Sequence, residues 1–312
     1  MFAASPPFDA AAPQRTIHVL GAPVGLGCPT PGAELGPAAI RLAGLSPRLA
    51  SLGLAVRDLG DISVPGCGAT DQALRNLSEI AGVCERLCAS VRETLDEGCF
   101  PLVLGGDHSV ALGTVSGVSS WRHASSAFPG LIWFDAHADM NTPETSPSGN
   151  IHGMPLAALL GYGDPALTGI GGFAPKLDPR FCAHVGARDL DDGERALIHK
   201  TGIRFFTMRE IDERGMGACM RDAIAIASGA LGGFAVTFDI DVLDPLVAPG
   251  SGTLARGGLT YREAHLALEM VAESGGLRAL EVTEVNAAVD VGNRTADLAV
   301  ELIGSALGRR IL

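Results

Sequence analysis

Short apolar and β-branched runs punctuate this chain, and longer stretches between several of them repeat their apolar residues every three or four positions. The runs are TIHVLGAP (16–23), LAVRDLG (54–60), FPLVLGG (100–106), GLIWFDAH (130–137), FCAHVGA (181–187), IRFFTM (203–208), GFAVTFDID (233–241) and LRALEVTEV (277–285). They predict about eight strands. Residues 70–98 predict a helix. Leu74, Leu77, Ile80, Cys84, Leu87 and Val91 share one face of it, Thr70 and Asp71 stand at its start, and Gly98 closes it. Residues 259–274 predict another, with Thr260 and Glu263 at capping-box spacing.

Strands written as continuous apolar runs, rather than as alternations, are buried on both faces. With helices between them they predict a parallel sheet covered on both sides. No composition break or long linker divides the chain, so residues 16–312 are expected to form one domain after a flexible tail over residues 1–15.

Composition narrows the function classes. Hydrophobic residues make up 47% and charged ones 19%, enough for a large core. A net charge of −12 repels nucleic acid and anionic membranes and mildly attracts a small cation. The seven cysteines are scattered, with neither zinc-ribbon nor disulfide-framework spacing. Reduced thiols in a cytoplasmic protein are therefore expected. The first residues lack the basic start and apolar stretch of a secretion signal, and no apolar run approaches bilayer-spanning length.

Ligand sites of parallel sheets lie beyond the carboxyl ends of the strands. Four predicted strand ends there carry chemistry: Asp107 and His108; Asp135, His137 and Asp139; Asp239, Asp241 and Asp244; Glu281 and Glu284. Alternation along a strand would put Asp135, His137 and Asp139 on one side, and Asp239 with Asp241 likewise. Clustered carboxylates repel one another unless a cation lies among them. Four aspartates, 135, 139, 239 and 241, balance two divalent ions, and His108 and His137 add neutral nitrogen. That oxygen-rich, thiolate-free set favours Mn²⁺ or a similarly hard ion. Two ions about 3.5–4 Å apart can share carboxylates and hold a hydroxide at neutral pH. Asp107 is expected to orient its surroundings from outside the ligand set, and Asp244, before Pro245, to shape a turn.

GGDHS (105–109), DAHADMNTPETSPSGNIHG (135–153), FDIDVLDP (238–245) and EVNAAVD (284–290) resemble the signature segments of the ureohydrolases, the family of arginases, agmatinases and relatives. The likeness extends through GAPVGLGCPTPGAELGPAAIRLAGL (21–45), VGARDLDDGE (185–194) and GSGTLARGGLTYRE (250–263), in order along the chain. The resemblance implies a three-layer α/β/α fold and hydrolysis of a guanidino group to urea and an amine. It implies two Mn²⁺ per subunit, one on His108, Asp135, Asp139 and Asp239, the other on Asp135, His137, Asp239 and Asp241. It further implies a homo-oligomer, a trimer or a hexamer, of a cytoplasmic enzyme.

The stretch after Asp139 resembles that of arginases and points to L-arginine, with agmatine, guanidinobutyrate or a similar guanidino compound as the alternative. By that resemblance Asn141 and Ser148, helped by Asn150, meet an α-carboxylate, and Asp191, with Glu194 nearby, meets an α-ammonium. Neutral donors suit a carboxylate and an Asp suits an ammonium. Glu284 would pair with the guanidinium, Thr253 would lend a hydroxyl beside it, and a bridging hydroxide would attack the central carbon. The metals and Asp139 would stabilise the tetrahedral intermediate, and His152 would carry the proton to the leaving amine. Ala287 departs from the family's usual Pro, which alters loop stiffness and not charge, and Glu144 and Pro147 sit where the specificity loop varies.

Overall fold

The structure is a computed structural model that describes residues 16–66, 74–123 and 127–309. The expected tail and the expected Thr70–Asp71 cap lie outside the described residues. All eight predicted strands are present: β1 (Ile17–Ala22), β2 (Val56–Asp61), β3 (Phe100–Gly105), β4 (Gly130–Phe134), β5 (Cys182–Ala187), β6 (Arg204–Thr207), β7 (Phe234–Asp239) and β8 (Leu277–Thr283). They form one sheet in the order β2-β1-β3-β8-β7-β4-β5-β6. Every pairing is parallel.

The apolar runs divide their residues between two cores. In β4, Ile132 and Phe134 join one cluster while Leu131 and Trp133 join the other. In β3, Leu102 and Leu104 fall on one side and Val103 on the opposite one. The first core packs against residues of the helices Met216–Ser228, Tyr261–Glu273 and Arg294–Ala306, the second against Leu77–Asp96 and Ala111–His123. This is the three-layer α/β/α arrangement. Each fully buried large apolar side chain contributes roughly 1.5–3 kcal/mol, so both faces favour the sheet.

Helix ends follow local chemistry where the cap residue is suited to it. Thr260 accepts the Glu263 N–H, and the Glu263 carboxylate accepts the Thr260 N–H at 2.9 Å, the reciprocal capping box. The long second-layer helix begins later than its periodicity predicts. It spans Leu77–Asp96, and Asn76 precedes it at φ 54. Leu74 is buried outside that helix, because an apolar residue in helical register also serves a loop that packs on the core.

The strand order positions the site. β3 and β4 are consecutive in sequence, yet β8 and β7 lie between them in the sheet. The chain therefore builds outward from β4 through β5 and β6 before returning to fill the centre. The carboxyl ends of β3, β8, β7 and β4 stand side by side, and these are the four ends that carry the candidate chemistry.

Candidate metal centre and cleft

The expected convergence is observed, but strand alternation does not produce it. β4 ends at Phe134, so Asp135, His137 and Asp139 all lie in the loop beyond it. Asp139 adopts φ 53, a backbone state that costs a non-glycine residue about 1–3 kcal/mol and returns the chain toward the centre. β7 ends at Asp239, and Ile240–Val242 turn as a 3₁₀ helix whose Asp241 N–H donates to the Asp239 carboxylate at 2.8 Å. Carboxylate capping of tight turns, rather than the pleat, aims these side chains.

Close backbone contacts fix His108. A Cβ on Gly106 would stand 1.9 Å from the Val24 carbonyl oxygen, so only glycine lets the β1 loop approach. The Asp107 N–H donates to that carbonyl at 2.7 Å, and the Glu284 N–H donates to the Gly106 carbonyl at 2.7 Å. The Asp107 carboxylate accepts the Gly27 N–H at 2.7 Å and the Ser109 N–H at 3.0 Å, which caps the turn that carries His108. Asp107 thus orients a neighbour from outside the cluster. Asp244 accepts the Leu246, Gly257 and Gly258 N–H groups and binds two loops together.

His108 Nδ1 faces three carboxylate oxygens, those of Asp135 and Asp139 at 3.0 Å and Asp239 at 3.2 Å. Its Nε2 lies 2.9 Å from Thr237 Oγ1, and that hydroxyl donates to Glu281 Oε1 at 2.7 Å. A hydroxyl whose proton is committed to Glu281 can only accept from His108. Nε2 therefore carries a ring proton, which leaves Nδ1, on the carboxylate side, as the nitrogen that would face a metal. Burial opposes an imidazolium here, and the hydrogen bonds to Asp135, Asp139 and Asp239 outweigh it, lifting His108 well above its usual range. Yet one N–H cannot serve three carboxylates, whereas a cation answers to all of them together with the nitrogen lone pair.

A second group adjoins the first. His137 Nδ1 lies 3.0 Å from Asp241 Oδ2 and 3.4 Å from Asp135 Oδ1. His108, Asp135 and Asp239 form one set of donor atoms within 4.8 Å of one another, and Asp135, His137 and Asp241 form another. Asp135 belongs to both. Asp139 Oδ2 is buried and faces His108 Nδ1 at 3.0 Å, a nitrogen for which it competes with Asp135 and Asp239. Burial, and after it the charge of Asp135, raises Asp139 to about 7, and burial with the charges of Asp241 and Asp135 holds Asp239 well above the carboxylate range. Uncompensated, the cluster resists carrying its full charge. Among the described residues these six side chains fit a pair of hard divalent ions in donor type, number and charge.

A cleft of about 190 Å³ opens beside the cluster and brings Asn141, Ser148, Asn150, His152, Asp191 and Thr253 to its wall. Asn141 Nδ2 donates to Asp191 Oδ2 at 2.9 Å, so these two residues form a single polar unit. The Ser148 hydroxyl accepts the Asn150 N–H at 3.2 Å. Glu194 also stands at the wall, but its oxygens accept the Met140 N–H at 3.2 Å and the Asp191 N–H at 2.8 Å. It shapes the loop rather than offering a free carboxylate. Thr253 donates to Asp241 Oδ2 at 3.1 Å and so braces the cluster.

Glu284, 1% exposed and at φ 61, accepts the His108 N–H at 2.9 Å with Oε1, and the same oxygen lies 3.2 Å from His152 Nδ1. Its Oε2 is buried and without a hydrogen bond. Burial pulls the His152 imidazole down, and the hydrogen bond and charge of Glu284 overcome it, raising the group to about 9.

The sequence and the fold of known proteins match this arrangement. The model of the Arginase family matches residues 15–308. The chain belongs to the arginase family. Family membership makes it a hydrolase and bears out the likeness read from its four signature segments. An arginase from Bacillus caldovelox is 47% identical over 302 residues, which cover 96% of this chain and all of that one (100%). The native structure of arginase from that organism at pH 5.6 superposes with a TM-score of 0.91 at 46% identity over 96% of this chain and 100% of its own. Arginase from Bacillus subtilis strain 168 is 45% identical over 299 residues, covering 96% of this chain and 99% of its own. Entamoeba histolytica arginase in complex with L-ornithine superposes with a TM-score of 0.86 at 30% identity, over 95% of this chain and 99% of that one.

Sequence reasoning missed the residues that hold this arginase-family cluster from behind. Trp133 Nε1 donates to Asp135 Oδ2 at 3.0 Å, and its ring stacks on His108 with centroids 4.4 Å apart. Thr237 and Thr114 donate to Glu281, which sits mid-strand and fully buried, not at a strand end as expected. The Arg188 guanidinium donates to the carbonyls of Asp241 at 2.7 Å and Ala255 at 2.8 Å, tying two site loops together. The available signal was a polar side chain inside an apolar run, Thr237 within AVTF and Glu281 within ALEV. A buried polar group in a parallel strand needs a partner, and here the partner is the site.

Proposed function

We propose that this protein hydrolyses the guanidino group of L-arginine to L-ornithine and urea, using two Mn²⁺ ions held by His108, Asp135, His137, Asp139, Asp239 and Asp241. The observation that carries the reading is the pair of donor sets sharing Asp135, adjacent to a buried, unpartnered Glu284 oxygen. When bound, the ion pair supplies hydroxide at neutral pH and electrostatic stabilisation of the charge that develops on attack.

The chain's own residues do the remaining work. Glu284 pairs with the guanidinium, whose planar fork matches a carboxylate. Its free Oε2 is a buried acceptor that a guanidinium N–H satisfies. Asn141, Ser148 and Asn150 offer neutral donors to the substrate carboxylate, and Asp191 offers an acceptor to its ammonium. Asn141 also fixes the Asp191 carboxylate. His152, held protonated by Glu284, gives its proton to the departing amine nitrogen and is recharged from solvent. Arginine and water thereby become ornithine and urea with every atom accounted for. Asp139, besides its place in the proposed ligand set, adds electrostatic stabilisation of the tetrahedral intermediate.

Urea release from L-arginine and from agmatine after Mn²⁺ loading tests the reading. Arginine is expected to be turned over and agmatine to be poor, because agmatine has no carboxylate for the Asn141 side of the cleft. Comparable rates on both would move the assignment to another guanidino compound, and no urea from either would end it. We further place the enzyme in the cytoplasm, which cell fractionation checks, as a homotrimer or hexamer, which sedimentation of the purified chain checks. Among the described residues no helix is long and apolar enough to cross a membrane.

A further inference from the structure

The opposite ends of the strands hold a second cluster that the proposed chemistry leaves unused. His18, on β1 between Ile17 and Val19, is 3% exposed in an otherwise apolar run. Its Nδ1 points at the end of the Leu77–Asp96 helix, 3.5 Å from Thr94 Oγ1 and 3.8 Å from Glu97 Oε2. Donor atoms of His18, Glu97 and Cys99 all lie within 4.8 Å of one another. The His18–Glu97 distance is too long for a hydrogen bond. It is close to the separation of two zinc ligands, which stand about 3.3–3.6 Å apart when bond lengths are ~2.0–2.3 Å and angles tetrahedral.

The helix end holds two of the donors rigidly. Gly98 adopts φ 74, its N–H donates to the Leu95 carbonyl at 3.0 Å, and the Cys99 N–H donates to the Thr94 carbonyl at 3.0 Å. These two bonds make a Schellman turn, which places Glu97 and Cys99 on either side of the glycine. The buried β1 strand fixes the third donor. A cavity of about 230 Å³ lined by His18 and Glu97 admits water alongside. Asp61, also on its wall, is taken by Arg41 at 2.5 Å.

We propose that His18, Glu97 and Cys99 form a separate site for a zinc-like divalent ion, with water as fourth ligand. On binding, the Cys99 thiol releases its proton to solvent as the sulfur–metal bond forms. The carboxylate and thiolate then balance the ion's two charges. Nitrogen, oxygen and sulfur donors suit Zn²⁺ or Co²⁺, whereas the Asp-rich cluster suits harder ions. Cys99 precedes β3 and His108 follows it, so about 20 Å of strand separates the two sites. A bound ion ties β1, the helix end and the start of β3 together.

The test adds Co²⁺ to the Mn²⁺-loaded full chain and reads the thiolate-to-cobalt charge-transfer band. The Asp-rich cluster contains no thiolate and cannot produce that band, so cobalt that displaces manganese stays silent. The wild type is expected to show the band with one Co²⁺ per chain, and Cys99→Ser to abolish it with urea release unchanged. Glu97→Gln is expected to weaken Co²⁺ binding about tenfold or more, since even outer partners of metal ligands carry that much. Glu97 is exposed and Cys99 partly exposed, so both substitutions leave the strand that carries buried His18 intact. No band in the wild type, a band that survives Cys99→Ser, or unchanged affinity in Glu97→Gln overturns the site.

Discussion

The floor and the rim of the cleft are built on different principles. On the floor, His108, Asp135, Asp139, Asp239 and Asp241 are each no more than 5% exposed, and several have a further partner behind them. Trp133 holds Asp135, Thr237 holds His108, and Thr253 holds Asp241. The rim runs through Thr142–Ser148, a Ser/Thr/Pro loop whose hydrogen bonds are largely within itself, such as Thr142 to Glu144 at 2.7 Å. In the proposed reading, chemistry that needs sub-ångström placement stands in tight turns just past the strand ends, and substrate choice would stand on a loop that can vary without disturbing them. Floor substitutions should therefore change metal content or kcat, and rim substitutions KM and preference.

Asp135→Ala breaks the floor most severely because Asp135 serves both donor sets. The expected result is loss of both ions by elemental analysis and a fall in urea release of about 10³-fold or more, matching several kcal/mol of lost metal catalysis. A variant that keeps two ions would show that the sets do not share this residue. His152→Ala separates proton delivery from metal binding. Its kcat should drop about 10²-fold while manganese content stays at the wild-type value.

The same histidine makes a prediction about pH. Glu284 raises His152 from its ordinary value near 6.5 to about 9 in the folded protein. The stabilisation from that pair is complete below about pH 6.5 and disappears as pH rises through about 9. Thermal melting of the wild type should lose this increment across that window, and His152→Ala should not. Parallel curves for the two proteins would remove the Glu284–His152 pair from the stability account.

Thr237→Val probes the support behind the floor. It leaves the ligands in place but removes the acceptor for His108 Nε2 and a donor to buried Glu281. Manganese affinity should fall about tenfold to a hundredfold, with substrate preference unchanged. Asn141→Ala sharpens the contrast from the other side. KM for arginine should rise about tenfold, the value of one hydrogen bond to a charged group, with metal content and agmatine turnover unchanged. If Asn141→Ala instead lost metal, rim and floor would be one unit.

Much of this was legible beforehand for a local reason. Apolar runs such as LIWF and AVTF carry their strand character in their own composition, and the acids that follow them identify the ends that bear chemistry. The capping box at Thr260 and Glu263 is likewise complete within four residues. The expectation that the pleat gathers Asp135, His137 and Asp139 named side chains that do converge, but for a reason the structure does not share. It assumed that β4 and β7 continue through Asp139 and Asp241, while both strands stop earlier and tight turns take over. Turns capped by their own carboxylates do not show in a hydrophobic pattern, because polarity alone cannot distinguish a ligand from a cap. Glu194 illustrates this, since an acid expected near the substrate turned out to hold two backbone N–H groups.

The sequence by itself determined the number and identity of the strands, the acids and imidazoles at their ends, and a donor chemistry suited to hard cations. Those properties depend on residue type and short-range spacing. Tertiary structure alone decided that β8 and β7 insert between β3 and β4, that Glu281 lies behind His108, and that His18 meets Glu97 across the end of a helix. Glu284 and His108 are 176 positions apart and still share a hydrogen bond. Contacts of that range are fixed by which buried faces pack together, a competition among all the elements at once that no short stretch of the chain encodes.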